Sequence, residues 1–262
     1  MKKGGNERFE KVLVVNDVHV PYHDKRLLEL FKEFAEDFAP DWLIINGDFL
    51  DCAEISKFAR VPGKNRTLMQ ELETGRSVLQ EMREAVGKKC RITYIEGNHE
   101  FRIKSYLMHN APELYVLPGL TMQQLLELES MKIEWIGTAD GASHFIDTYV
   151  AVGKLSVGHF DRVSKHAAYT VKALVEEKGV SILQGHVHRY GVHSKRLMDG
   201  TQLMGIENPC MAKLNPDYVA NPNWQQGWTV IYHKRSSGRF HAYPIQVVNG
   251  GFIWNGKLYD NN

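Results

Sequence analysis

The sequence predicts an α/β protein, with two sheets packed face to face and helices outside. Three observations carry this reading. Runs of β-branched residues alternate with amphipathic segments over roughly residues 12–186. From about residue 190 the pattern changes to short alternating segments, as a strand-rich second half requires. No linker, repeat or low-complexity stretch divides the 262 residues, so 1–262 reads as one domain.

The elements follow in order. "VLVVND" (12–17) is a continuous apolar strand of the kind covered on both faces. Asp24 can cap a helix whose Leu27, Leu30, Phe31, Phe34 and Phe38 recur at helical spacing. "DWLIINGD" (41–48) is a second buried strand, and Thr67 with Gln70 forms a capping box for a helix ending near Gly87. "CRITYIEGN" (90–98) is the third strand, with a helical segment after Arg102 and another capping box at Thr121 and Gln124 opening "TMQQLLELES". "AVGKLSVGH" (151–159) and "VSILQGH" (180–186) read as strands on either side of a helix over roughly 163–178. "TQLMGIE", "GWTVIYHK" and "RFHAYPIQVV" are later strands, and "FIWNGKLY" is an Asn-Gly hairpin.

Composition narrows the class. At 43% hydrophobic the chain can bury a sizeable core, and a formal net charge of +1 gives no global field for a long polyanion. The three cysteines, Cys52, Cys90 and Cys210, are widely spaced and odd in number. They suggest neither a disulfide framework nor a zinc ribbon, but a reducing compartment. Charges occupy the N-terminus where a signal peptide needs apolar residues, and no apolar run is long enough for a bilayer. The expectation is a soluble cytoplasmic protein with no membrane partner.

Five strands end in residues of metal-ligand type. Asp17 and His19 follow the first, Asp48 and Asp51 the second, Asn98 and His99 the third, His159 the fourth, and His186 and His188 the fifth. Each alone is an ordinary turn or a satisfied buried histidine, and a single Gly-His-X-His motif is weak. The set is what matters, because the carboxyl ends of parallel strands converge on one crevice. Asp17, His19, Asp48, Asn98, His159, His186 and His188 supply oxygen and imidazole without thiolate, which suits Mn, Fe, Zn or Ni. Seven donors are too many for one tetrahedral ion and enough for two. Asp17-X-His19 and His186-X-His188, if extended, place each pair on one side of its segment.

The strings "DVH", "GDFLD", "GNHE", "GH" and "GHVH", in this order over residues 17–188, resemble the calcineurin-like metallophosphoesterases. The resemblance implies a four-layer α/β/β/α sandwich and a dinuclear centre, manganese being the first expectation. It implies Asp17, His19, Asp48 and His188 around one metal, with Asp48 bridging. Asn98, His159 and His186 would complete the second metal site, and His99 would be the acid, oriented by Asp51. Asp51-Cys52-Ala53 replaces the Asp-Arg-Gly of the serine/threonine protein phosphatases, which argues against phosphoprotein substrates. Asp51 also stands where double-strand-break repair nucleases usually have His. "DVHVPYHD", "SKHAAYTVKAL" and "NPDYVANPNWQQGW" are similar to small bacterial and phage-encoded members.

The expected chemistry is attack of a metal-bridging hydroxide on phosphorus, with His99 protonating the leaving oxygen. Arg102 is a candidate for a non-bridging phosphate oxygen, a solvated helix start being its competing role. Lys57, Arg60, Lys64 and Arg66, with Arg162 and Lys165, suggest a substrate with more than one phosphate or a nucleic-acid end, a solvated loop being the competing reading. Phe58, Tyr106 and Trp224 are candidates to stack a base, against ordinary core packing. The leading expectation is a phosphodiesterase. A phosphomonoesterase is the alternative within the enzyme class, and a non-catalytic metal-binding scaffold the alternative outside it.

Overall fold

The computed structural model describes residues 8–56, 67–215 and 222–260. The basic segment with Lys57, Arg60, Lys64 and Arg66, together with Phe58, lies outside the described residues, as does part of "NPDYVANPNWQQGW". The strands are β1 (Glu10–Val15), β2 (Trp42–Asn46), β3 (Arg91–Ile95), β4 (Ile133–Ile136), β5 (Tyr149–Val152), β6 (Leu155–Gly158), β7 (Ser181–Gln184), β8 (Gly191–Arg196), β9 (Gln202–Glu207), β10 (Gln226–Lys234), β11 (Arg239–Val247), β12 (Gly251–Trp254) and β13 (Lys257–Asp260). The helices are α1 (Lys25–Phe38), α2 (Leu68–Val86), α3 (Phe101–Asn110), α4 (Pro112–Tyr115), α5 (Met122–Leu125) and α6 (Tyr169–Lys178).

Two mixed sheets result. The first has the order β11-β10-β1-β2-β3-β4, with β1 to β4 parallel; the second has the order β5-β6-β7-β9-β8, with β6, β7 and β9 parallel. Strand periodicity accounts for the layers. Val12, Val14 and Ile44 pack against Val157, Leu183 and Ile206 of the second sheet, while Leu13, Val15 and Ile45 face the α1 and α2 residues Phe31, Phe34 and Leu79. On the far side, Val171, Leu174 and Val175 of α6 cover Ile182 and Leu203. The architecture is the four-layer α/β/β/α sandwich expected.

Polar groups also cross the sheet interface. Asn208 donates to Asn16 and accepts from Thr229 Oγ1 at 2.6 Å, while Asn46 Nδ2 donates to the Gly158 carbonyl at 2.9 Å. The C-terminal hairpin closes through Asn255 and Gly256, both left-handed, and sets Phe252 and Tyr259 each 5.4 Å from Phe34 of α1.

Several elements differ from expectation. Residues 151–159 are not one strand: Gly153, left-handed at φ 63°, turns the chain between β5 and β6. The Thr121 cap opens only the four-residue α5, because Glu127 turns left-handed at φ 54°. The last large helix starts at Tyr169 rather than near 163, where the buried Glu207 carboxylate of β9 takes the amides of Ala168, Thr170 and Val171. The edge strands β4 and β8 had no sequence signal. Among the described residues no helix is long and apolar enough to cross a membrane.

Candidate metal centre

All five strand exits meet at one place, though they do not come from one sheet. β1, β2 and β3 bring Asp17, His19, Asp48, Asn98 and His99 from the first sheet; β6 and β7 bring His159, His186 and His188 from the second. Asp17, His19, Asp48, His186 and His188 all have left-handed backbones, at φ 50°, 49°, 49°, 66° and 56°. The two Asp/His-X-His segments are therefore turned rather than extended, because each side chain must leave its strand end toward the cleft. A non-glycine residue there costs of order 1–3 kcal/mol and persists only where the surroundings enforce it.

Backbone bonds supply that enforcement. Asp17 N donates to Gly47 O at 3.0 Å, and His19 N donates to Asp48 O at 3.0 Å, so the first two exits are stitched together. The buried Glu100 carboxylate takes Asp48 N, Leu50 N and Gly97 N at 3.0, 2.9 and 2.9 Å, and the Tyr94 hydroxyl at 2.7 Å. Glycine is required at Gly97, since a Cβ there would lie 2.2 Å from Asp48 Oδ1.

Among the described residues, three groups of donors each have ligand atoms within 4.8 Å of one another: Asp17, His19 and His188; His19, Asp48 and His99; and Asp48, His159 and His186. His188 Nε2 is 3.1 Å from Asp17 Oδ1 and 3.0 Å from His19 Nε2. His159 Nε2 is 3.2 Å from Asp48 Oδ2 and 3.0 Å from Asn98 Oδ1. His19 Nδ1 faces the Asp51 carboxylate at 3.1 Å and His159 Nδ1 faces the Asn46 carbonyl at 3.1 Å. Both are acceptors, so each imidazole carries a hydrogen on Nδ1 and turns Nε2 to the centre, the orientation that metal-ligating histidines take.

Charge agrees with this chemistry. Burial alone would raise Asp48, yet His159, His99 and His19 hold it well below the usual carboxylate range. Asp17 is likewise buried and lowered, chiefly by His188. Burial would lower His159, but the Asp48 and Asp17 carboxylates push it up to about 10. Burial and the neighbouring His159 push His186 down to about 4. Converging carboxylates that hold a proton so firmly on an imidazole call for positive charge. This donor set, oxygen and imidazole without thiol, fits divalent ions.

His99 and Arg102 occupy the rim. His99 Nδ1 lies 2.9 Å from Asp51 O and 3.4 Å from Asp51 Oδ1, so that nitrogen carries a hydrogen. Arg102 donates from Nη1 to Asp51 O and from Nη2 to His99 Nε2, each at 2.7 Å. The guanidinium is thus engaged with the His99 imidazole. Arg162, in contrast, pairs with Glu177 at 2.6 Å on the surface.

Sequence reasoning missed two supports. Glu71 on α2 is buried and takes the Cys52 amide at 2.5 Å, fixing the turn that carries Asp51. Asn16 donates to the Asp17 carboxylate and ties it to Asn208. Neither had a local signal, since an acidic residue early in a helix and an asparagine before a turn are common on surfaces.

A family model for calcineurin-like phosphoesterases matches residues 10–220. The chain is similar to the Gene 54 proteins of Mycobacterium phage L5, at 25% identity over 96% of this chain and 99% of that one, and of Mycobacterium phage D29, at 24% over 96% and 99%. Among solved structures, Vacuolar Protein Sorting 29 from Cryptosporidium parvum aligns over 95% of this chain and 94% of its own, at 12% identity and a TM-score of 0.44. The resemblance read from the strand exits is borne out by the family match. The chain belongs to the calcineurin-like phosphoesterase family.

Proposed function

We propose that this phosphoesterase is a phosphodiesterase with a dinuclear divalent centre, acting on nucleotide or nucleic-acid phosphodiesters. Family membership itself gives a metal-dependent phosphoester hydrolase. The observation that carries the dinuclear reading is the place of Asp48, whose Oδ2 lies 4.0 Å from His19 Nε2 on one side and 3.2 Å from His159 Nε2 on the other. Asp17, His19, Asp48 and His188 would hold one ion, and Asp48, Asn98, His159 and His186 the other. Manganese is the ion we favour, with Fe, Zn or Ni also suited to N/O donors. When bound, such ions neutralise phosphate charge and make water a competent nucleophile near neutral pH.

The protein's own residues do the rest. Asp51 and its carbonyl hold His99 by Nδ1; with Arg102 drawn off, Nε2 is free to take up a proton from solvent and give it to the departing oxygen. Arg102, once drawn off His99, would grip a non-bridging phosphate oxygen as a bidentate cation. The absence of an arginine at Cys52 favours diesters over phosphoproteins. Strands β10 and β11 lie beyond the matched residues yet complete the first sheet, which supports one domain over 1–262.

The test is turnover of bis-p-nitrophenyl phosphate and p-nitrophenyl phosphate by metal-stripped protein titrated with Mn²⁺. Diester turnover saturating near two equivalents is expected, and Asp48→Ala should lose more than one equivalent of metal. Monoester preference would establish a phosphomonoesterase instead. Metal binding without any turnover would leave a scaffold.

A further inference from the structure

The rings at the centre form a row. His99 lies 4.6 Å from His19, His19 lies 4.9 Å from His188, and His188 lies 4.3 Å from Trp224, all between ring centroids. We propose that Trp224 forms the subsite for the ester substituent that stays on phosphorus, and that this subsite takes a planar aromatic group such as a nucleobase. The inference rests on the phosphodiesterase reading and names what that reading leaves open.

Three features single out this indole. Trp224 is half-buried and, among the described residues, belongs to none of the three apolar cores; its ring contact is with His188. Tryptophan offers the broad face on which a base stacks with little loss of side-chain freedom. Its backbone is nonetheless fixed. The neighbouring Gln225 donates its amide to His188 O at 2.9 Å, accepts Tyr190 N on Oε1 at 3.0 Å, and accepts Cys210 N on its carbonyl at 2.9 Å. The indole is therefore held at a set distance from the donor cluster.

Position along the row assigns the substituent. With the leaving oxygen at His99, that end is taken, and the His188 end with Trp224 beyond it is left for the group that remains. A monoester carries only an oxygen there. Tyr106, the other described stacking candidate, is exposed on α3 and has no ring contact with the cluster.

Two diesters with one leaving group test this. Bis-p-nitrophenyl phosphate and methyl p-nitrophenyl phosphate both release p-nitrophenolate and differ only in the substituent retained. Trp224→Ala should lower the ratio of kcat/KM for the first over the second by roughly 5- to 150-fold, the range spanned by stacking one base. Trp224→Phe should restore most of it. An equal decline on both esters, with or without metal loss, would overturn the subsite and leave Trp224 as a prop for His188. Wild-type protein that hydrolyses neither diester would instead defeat the phosphodiesterase reading, and the subsite with it.

Discussion

Glu71 offers a quantitative test of how the site's supporting turn is built. Burial pushes its carboxyl from the ordinary 4.5 up to about 8; the nearby Asp51 and Glu100 carboxylates add to this, and the Cys52 and Asp51 amides oppose it. A folded-state pKa above the unfolded one means that the protonated form contributes its full stabilisation below about 4.5. That contribution is lost as pH rises through about 8. At ~1.36 kcal/mol per unit, the loss amounts to about 4 kcal/mol by pH 8. Glu71→Gln keeps an oxygen for the Cys52 amide and cannot ionise. The variant and wild type should therefore match in stability near pH 4.5, and the variant should be ahead by a few kcal/mol near pH 8. Urea unfolding of metal-stripped protein across this range measures the difference, and stripping matters because nearby cations would pull the carboxyl down. Parallel stability–pH curves for the two proteins would refute the reasoning, and would mean that Glu71 is ionised and held as an anion by the amides.

His99→Ala should keep metal content near wild type and lower turnover ~10²–10⁴-fold, the usual worth of a general acid; joint loss of both metals would make it a structural ligand instead. Arg83 is buried and donates to the carbonyls of Met131, Gly87, Cys90 and Lys132 at 2.7–3.2 Å, closing the turn after α2. Arg83→Met should cost roughly 2–4 kcal/mol in urea unfolding by stranding those acceptors, and a change below about 0.5 kcal/mol would show that water replaces the guanidinium.

What was legible in the sequence was what is encoded locally. The Thr67–Gln70 capping box forms as read, with Gln70 N to Thr67 Oγ1 at 3.3 Å and Thr67 N to Gln70 Oε1 at 3.1 Å. The left-handed turns at the strand ends place ligand-type residues that a five-motif pattern exposes. Glu71, one residue past that capping box, was illegible because its partner is the Cys52 amide, 19 residues away, brought in by tertiary folding. Glu207 is the same case, since it caps α6 from β9 and overrides the local start signal. The 151–159 strand failed because Gly153 interrupts an apolar run that strand periodicity alone reads as continuous. For Arg102 the sequence leaves a phosphate contact and a solvated helix start both open, and only the folded geometry places its guanidinium on His99.

The division of donors between the two sheets has a kinetic corollary. Of the three donor groups among the described residues, His19, Asp48 and His99 come from the first sheet alone, whereas the Asp17, His19 and His188 group and the Asp48, His159 and His186 group each need both sheets. Until the interface closes through Asn16, Asn208 and Asn46, the first sheet would offer only the His19, Asp48 and His99 group, and the full donor set would assemble only on closure. Metal uptake would then act as a latch on a finished assembly, slowing its undocking because the ions leave with the last native contact.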